Sequence, residues 1–142
     1  MRALLDVNVL LALLDASHVD HRRAREWISG KIQHGWASCA LTQNGFVRII
    51  SQPKYPSLVS PSEAIDRLRR ATSTEYHEFW PCSVSLLEER HVDPNHLHGP
   101  RQVSDIYLLA LAVQSGGRLV TFDDSIPLSA APGAGPEHLV VL

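Results

Sequence analysis

Residues 104–124 read SDIYLLALAVQSGGRLVTFDD. From Ile106 to Val113 no side chain is charged, and only the Tyr107 hydroxyl is polar. A helix that is apolar on every side is a buried helix, so the pattern predicts one over 104–114. Gly116-Gly117 ends it. Residues 118–122 then predict a strand, which runs directly into Asp123-Asp124. A buried helix, a tight stop and a buried strand with a carboxylate at its end make one unit of an α/β fold.

The N-terminus carries a related unit. RALLDVNVLLALLD, residues 2–15, predicts a short buried strand over 2–5 and a helix over 7–14, with Asp6 at the turn. Between the two ends the periodicity alternates. Residues 18–32 form an amphipathic helix, with Ala24, Trp27, Ile28 and Ile32 on one side and Arg22, Arg23, Arg25 and Glu26 on the other. Residues 35–38 suggest a strand and 41–50 a helix. Ser60-Pro61-Ser62-Glu63 opens a further helix as a capping box with proline at its first position. A strand over 79–82, a short helix opened by Ser85–Glu88, a loop over 92–100 and a last strand over 138–142 complete the chain. The reading is one domain, residues 1–142, with a mainly parallel sheet between helical layers.

Composition narrows the function classes. The chain has 142 residues, 44% of them hydrophobic and 20% charged, with a net charge of −2. That is an ordinary globular balance rather than a disordered one. No global basic field advertises nucleic acid, so any such binding must come from local patches or bound metal. Cys39 and Cys82 are too few for a disulfide scaffold and are expected as reduced core thiols. Arg2 followed by an apolar run superficially resembles a signal peptide, but Asp6 and Asn8 interrupt it and no cleavage pattern follows. No run reaches the ~20 apolar residues of a membrane span. The expected setting is the cytoplasm.

In a parallel sheet the carboxyl ends of the strands share one edge, where ligands bind. Asp6, Asp123 and Asp105, which opens the buried helix, can therefore meet at one mouth. Singly, each has an ordinary explanation as a helix cap or turn residue. Together they conflict with the core: two carboxylates ~6 Å apart repel by about 3 kcal/mol at an effective dielectric of 20. A cation resolves the conflict, and hard oxygen ligands suit Mg²⁺ or Mn²⁺. Such ions activate water and hold a phosphodiester.

The segments RALLDVNVLLALL, SDIYLLALAV and GGRLVTFDDSI resemble the acidic motifs of PIN domains, and more closely those of the VapC toxins of bacterial VapBC toxin–antitoxin pairs. WASCALTQNGFVRIIS is similar to the family's second motif. The resemblance implies a three-layer α/β/α sandwich and a metal-dependent endoribonuclease that hydrolyses RNA. It also implies a small antitoxin that blocks the active site, and a homodimer. It assigns Asp6, Asp105 and Asp123 as catalytic and metal-holding acids. Asn8 matches a polar residue the family often has two positions after the first acid and is expected to support Asp6. Asp124 has no firm counterpart and is expected as a further supporting acid, and Arg101, close to Asp105 in sequence, is the expected RNA contact. Gln43 stands where the family usually has Glu, which removes one negative charge from the expected site.

That departure raises an alternative, a PIN domain kept for binding RNA or a protein without cleavage. A haloacid-dehalogenase-type phosphatase would need a second Asp where Asn8 stands, and a lysine in a chain that has only Lys31 and Lys54. His91, His96 and His98 form a third possibility, a transition-metal site.

Overall fold

A computed structural model describes all residues, 1–142. Five strands are all parallel: β1 (Ala3–Leu5), β2 (Trp36–Cys39), β3 (His77–Trp80), β4 (Arg118–Thr121) and β5 (Leu139–Val141). Their order across the sheet is β3-β2-β1-β4-β5. The helices are α1 (Val7–Leu14), α2 (His21–Lys31), α3 (Ala40–Ile50), α4 (Pro61–Thr72) and α5 (Val103–Gln114). No helix is long and apolar enough to cross a membrane.

Alternation along β1 explains the layers. Ala3 and Leu5 turn to one face, where α1, α3 and α4 bury Leu10, Phe46, Ile50 and Leu68. Leu4 turns to the other, against Leu108, Leu109, Leu111 and Ala112 of α5. The chain lays strands outward from β1 to β3, then returns through α5 to place β4 on the other side of β1. Right-handed crossovers in opposite directions put their helices on opposite faces. The reversal makes the β1–β4 boundary a topological switch point, the usual place for a ligand in an open parallel sheet. In register, Leu5 pairs with Val120, so the chain leaves both strands at the same level.

The apolar helix α5 is built as its sequence implies. Gly116 has φ 70°, its N–H donates to Val113 O at 3.1 Å, and Gly117 N–H donates to Ala112 O at 2.8 Å. This paired C-terminal closure favours glycine at the left-handed position. Gly117 has a second constraint: a Cβ there would lie 2.5 Å from Arg2 O.

Three expectations are corrected. No helix forms after Ser85, whose hydroxyl accepts from Leu87 N–H in a local turn; Leu87 is 93% exposed, so that segment has no apolar face to bury. β3 begins at His77 rather than 79 and ends before Cys82, which is exposed while Cys39 is buried. Ser60 caps α4 through Glu63 N–H, but the Glu63 side chain turns to Arg67 at 3.7 Å instead of completing the box.

Candidate active site

The sequence Asp-Val-Asn after β1 makes a sharp strand-to-helix turn. Asp6 still donates its N–H to Val120 O of β4, as a strand residue does. Its Oδ1 accepts from Val7 N–H at 2.7 Å, capping α1. One residue thus ends the strand, starts the helix and leaves a buried carboxyl group at the switch point.

Thr121 organises the surroundings. Its hydroxyl donates to Asp6 Oδ2 at 2.7 Å. It accepts from Asn8 Nδ2 at 3.2 Å and from Asp123 N–H at 3.1 Å. A hydroxyl has one donor and two acceptor sites, so Thr121 is saturated, and it is fully buried. Asn8 Oδ1 accepts from Phe122 N–H at 3.3 Å. Asn8 therefore supports Asp6 through Thr121 rather than by direct contact. Ser125 holds Asp123 Oδ1 with its N–H at 2.8 Å and its hydroxyl at 2.6 Å.

Asp105 reaches the same place from α5, whose first turn it occupies. Its carboxyl group lies close enough to those of Asp6 and Asp123 to feel their charges. Burial first, then the charges of Asp6 and Asp123, push the Asp105 pKa up to about 6. Asp6 is also raised, by burial above all and in smaller part by Asp123. Asp123 is held below the carboxylate range, chiefly by the Ser125 hydroxyl and N–H. Burial and neighbouring negative charge thus raise Asp105 and Asp6, while hydrogen bonds from Ser125 lower Asp123.

Asp6, Asp105 and Asp123 come together; the other predicted residues divide. Asn8 joins them through Thr121. Asp124 is exposed and outside the network. Gln43 donates its amide to Ser38 Oγ at 2.9 Å, and Ser38 Oγ pairs with His77 Nε2 at 2.8 Å. That side chain braces α3 against β2 and β3 and takes no hydrogen bond from the acids. Arg101 is exposed in the 3₁₀ turn Pro100–Gln102 that leads into α5. His96 pairs with Asp93 at 2.8 Å and His91 with Gln114 at 3.1 Å, so the histidines are dispersed and the transition-metal site does not form.

Two contributors escaped the sequence reading. Thr121 was visible only as part of Thr-x-Asp. Gln102 accepts from His98 N–H at 3.1 Å and donates to Ser125 O at 3.3 Å, tying the loop before α5 to the loop after Asp123.

The donor chemistry fits a divalent cation. The cluster offers only hard carboxylate oxygens, the donor set that Mg²⁺ and Mn²⁺ prefer. No three acidic, histidine or cysteine side chains are arranged to hold an ion; Thr121 and Val7 hold Asp6, and Ser125 holds Asp123.

The PIN domain family model matches residues 3–131. The chain is 66% identical to "Ribonuclease VapC44" of Mycobacterium tuberculosis, over the full length of both. It is 42% identical to "Ribonuclease VapC39" of the same species, covering 94% of this chain and 96% of that one. Among solved structures it is similar to VapBC2 from Rickettsia felis, bound to a DNA fragment from their promoter, with a TM-score of 0.53 and 14% identity over 87% of this chain and 89% of that one.

Proposed function

We propose, for a chain that belongs to the PIN-domain family, that it is the endoribonuclease toxin of a toxin–antitoxin pair and cleaves RNA with the help of Mg²⁺ or Mn²⁺. The observation that carries the reading is the meeting of Asp6, Asp105 and Asp123 at the β1–β4 switch point, where burial and the charges of the other two acids raise the Asp105 pKa.

Asp6, Asp105 and Asp123 would hold the ion. When bound, it supplies positive charge beside the phosphate oxygens and lowers the pKa of a water for attack on phosphorus. The chain's own residues prepare that site. Thr121 fixes the Asp6 carboxylate, Ser125 fixes Asp123, and Gln102 keeps the two loops in register. Asp105 gives up its proton near pH 6, so ion binding is favoured at and above neutrality. Arg101 stands before α5 as a contact for the RNA backbone.

The replacement of the family's usual Glu by Gln43 does not argue for a binding-only protein, because Gln43 is occupied with Ser38 and the three acids are intact. The partner in this reading is a small antitoxin, whose inhibitory segment sets an Arg or Lys against the acids in place of the metal's charge. Homodimerisation and a cytoplasmic setting complete the proposal on family grounds. Incubating purified protein with RNA and Mn²⁺ or Mg²⁺ tests it: cleavage that stops on chelation is expected, and intact RNA under all divalent conditions overturns it.

A further inference from the structure

A site built from three acids repels the polyanion it is meant to cut, and a chain of net charge −2 offers no general attraction. Local cations must compensate. Several basic side chains are already engaged: Arg2 with Glu78 at 3.2 Å, Arg67 with Glu63 at 3.7 Å, Arg69 with Asp66 at 2.7 Å and Arg90 with Glu88 at 2.6 Å. The outer face of α2 differs. Arg22 and Arg25 are exposed and line an open depression with His21, Glu26 and Ser29.

Arg23, on the same helix, lies over Phe122, the residue before Asp123 in the chain. Its guanidinium carbon lies 4.9 Å from the centroid of the Phe122 ring. Phe122 sits between Thr121, which holds Asp6, and Asp123 itself. Its N–H donates to Asn8 Oδ1 and the Asp123 N–H to the Thr121 hydroxyl, so the backbone that carries the ring is held by the same residues that support Asp6. Arg23 has one ionic partner, Asp20 at 3.4 Å, and its side chain is 57% exposed. A guanidinium lying on an aromatic face is pre-oriented while its N–H edge stays free, an arrangement suited to a phosphate and unavailable to lysine in the same form.

We propose that Arg23, propped on Phe122, is a positioning residue that seats an RNA phosphate beside the acids, with Arg22 and Arg25 extending the track along α2. This rests on the ribonuclease reading. Steady-state cleavage of a labelled single-stranded RNA in Mn²⁺, at several NaCl concentrations, tests it. Arg23→Ala should raise KM about tenfold with kcat within about twofold, and flatten the log–log salt dependence of kcat/KM by about 0.7, the value of one single-strand phosphate contact. Arg23→Lys should restore the salt slope but not the full KM. Phe122→Leu, which keeps apolar bulk, should raise KM about threefold. Unchanged KM and salt slope in Arg23→Ala overturn the proposal. So does a loss of kcat and thermal stability with an unchanged salt slope, which marks a structural role only. A wild type that cuts no RNA overturns the ribonuclease reading, and the proposal falls with it.

Discussion

At the scale of single residues, protonation is the first handle on the site. The Asp105 pKa of about 6 in the folded protein exceeds its ordinary 3.8, so between those values the folded chain keeps a proton that the unfolded chain has lost. Without divalent ions, this group's contribution to stability is therefore present at low pH and lost as pH rises through about 6. Asp6 acts in the same direction, whereas Asp15 and Asp123 are lowered and oppose it. The difference between wild type and Asp105→Asn isolates the effect. In chelator at pH 7 the variant should melt higher than wild type, and the gap should close towards pH 4.5; a variant that melts lower at pH 7 contradicts the raised Asp105 pKa.

Thr121 gives a second handle at this scale. Thr121→Val keeps the shape but removes the hydroxyl that joins Asp6, Asn8 and Asp123. It should cost roughly 10- to 100-fold in metal affinity or activity, the usual size of an effect on groups that orient metal ligands. Gln43→Glu, by contrast, replaces the donor to Ser38 with an acceptor. It should cost about 1–2 kcal/mol of stability, read as a lower Tm, without moving the Mn²⁺ midpoint for cleavage. A lowered midpoint would put this side chain in the site after all.

At the scale of elements, the close packing of α1 on α3 sets where Asp6 points. Gly45 of α3 meets Val7, the residue after Asp6; an added Cβ would lie 2.6 Å from Val7 Cγ2. Gly45→Ala gains about 1 kcal/mol of helix propensity but loses about 1–3 kcal/mol to overpacking, and should destabilise on balance. Val7→Ala should relieve it, so the double variant should be more stable than the sum of the single effects predicts, a coupling that thermal or urea unfolding measures.

The same scale explains what was legible in the sequence. The apolar runs of α5, β1 and β4 announce themselves because every position is buried, and the acids that interrupt or end such runs stand out against them. β3 and the segment after it do not. Glu78 and Phe79 are exposed on an edge strand, so no alternation marks where pairing begins, and Ser85–Glu88 imitates a helix start without a buried stripe to sustain one. The Thr121 hub was hidden for another reason. Its bonds to Asn8 and Asp6 span 113 and 115 residues, and only the strand order β2-β1-β4 brings those partners together. Gln43 was misleading because family position fixes its place in α3, not the direction of its side chain.

At the scale of the whole molecule, the reversal of strand order beside β1 places an acid from each of two strands and one from the crossing helix at a single edge. That arrangement is costly without a counter-charge, which a divalent ion supplies in the proposed reading. Asp6 is buried, while Asp105 and Asp123 are half-exposed at the mouth of the site; in the proposed reading Arg23 with its α2 neighbours Arg22 and Arg25, and Arg101 before α5, are the cations an approaching polyanion meets. Binding of a divalent ion to the folded state should raise stability with the logarithm of one plus its concentration over Kd.

Titration of Mn²⁺ into the metal-free protein by calorimetry, with Asp6→Asn, Asp105→Asn and Asp123→Asn in parallel, tests the three-acid site most directly. Wild type should show saturable binding accompanied by a rise in Tm, and each variant should lose most of it while keeping its fold by circular dichroism. Binding of Mn²⁺ by all three variants as tightly as by wild type would contradict the assignment.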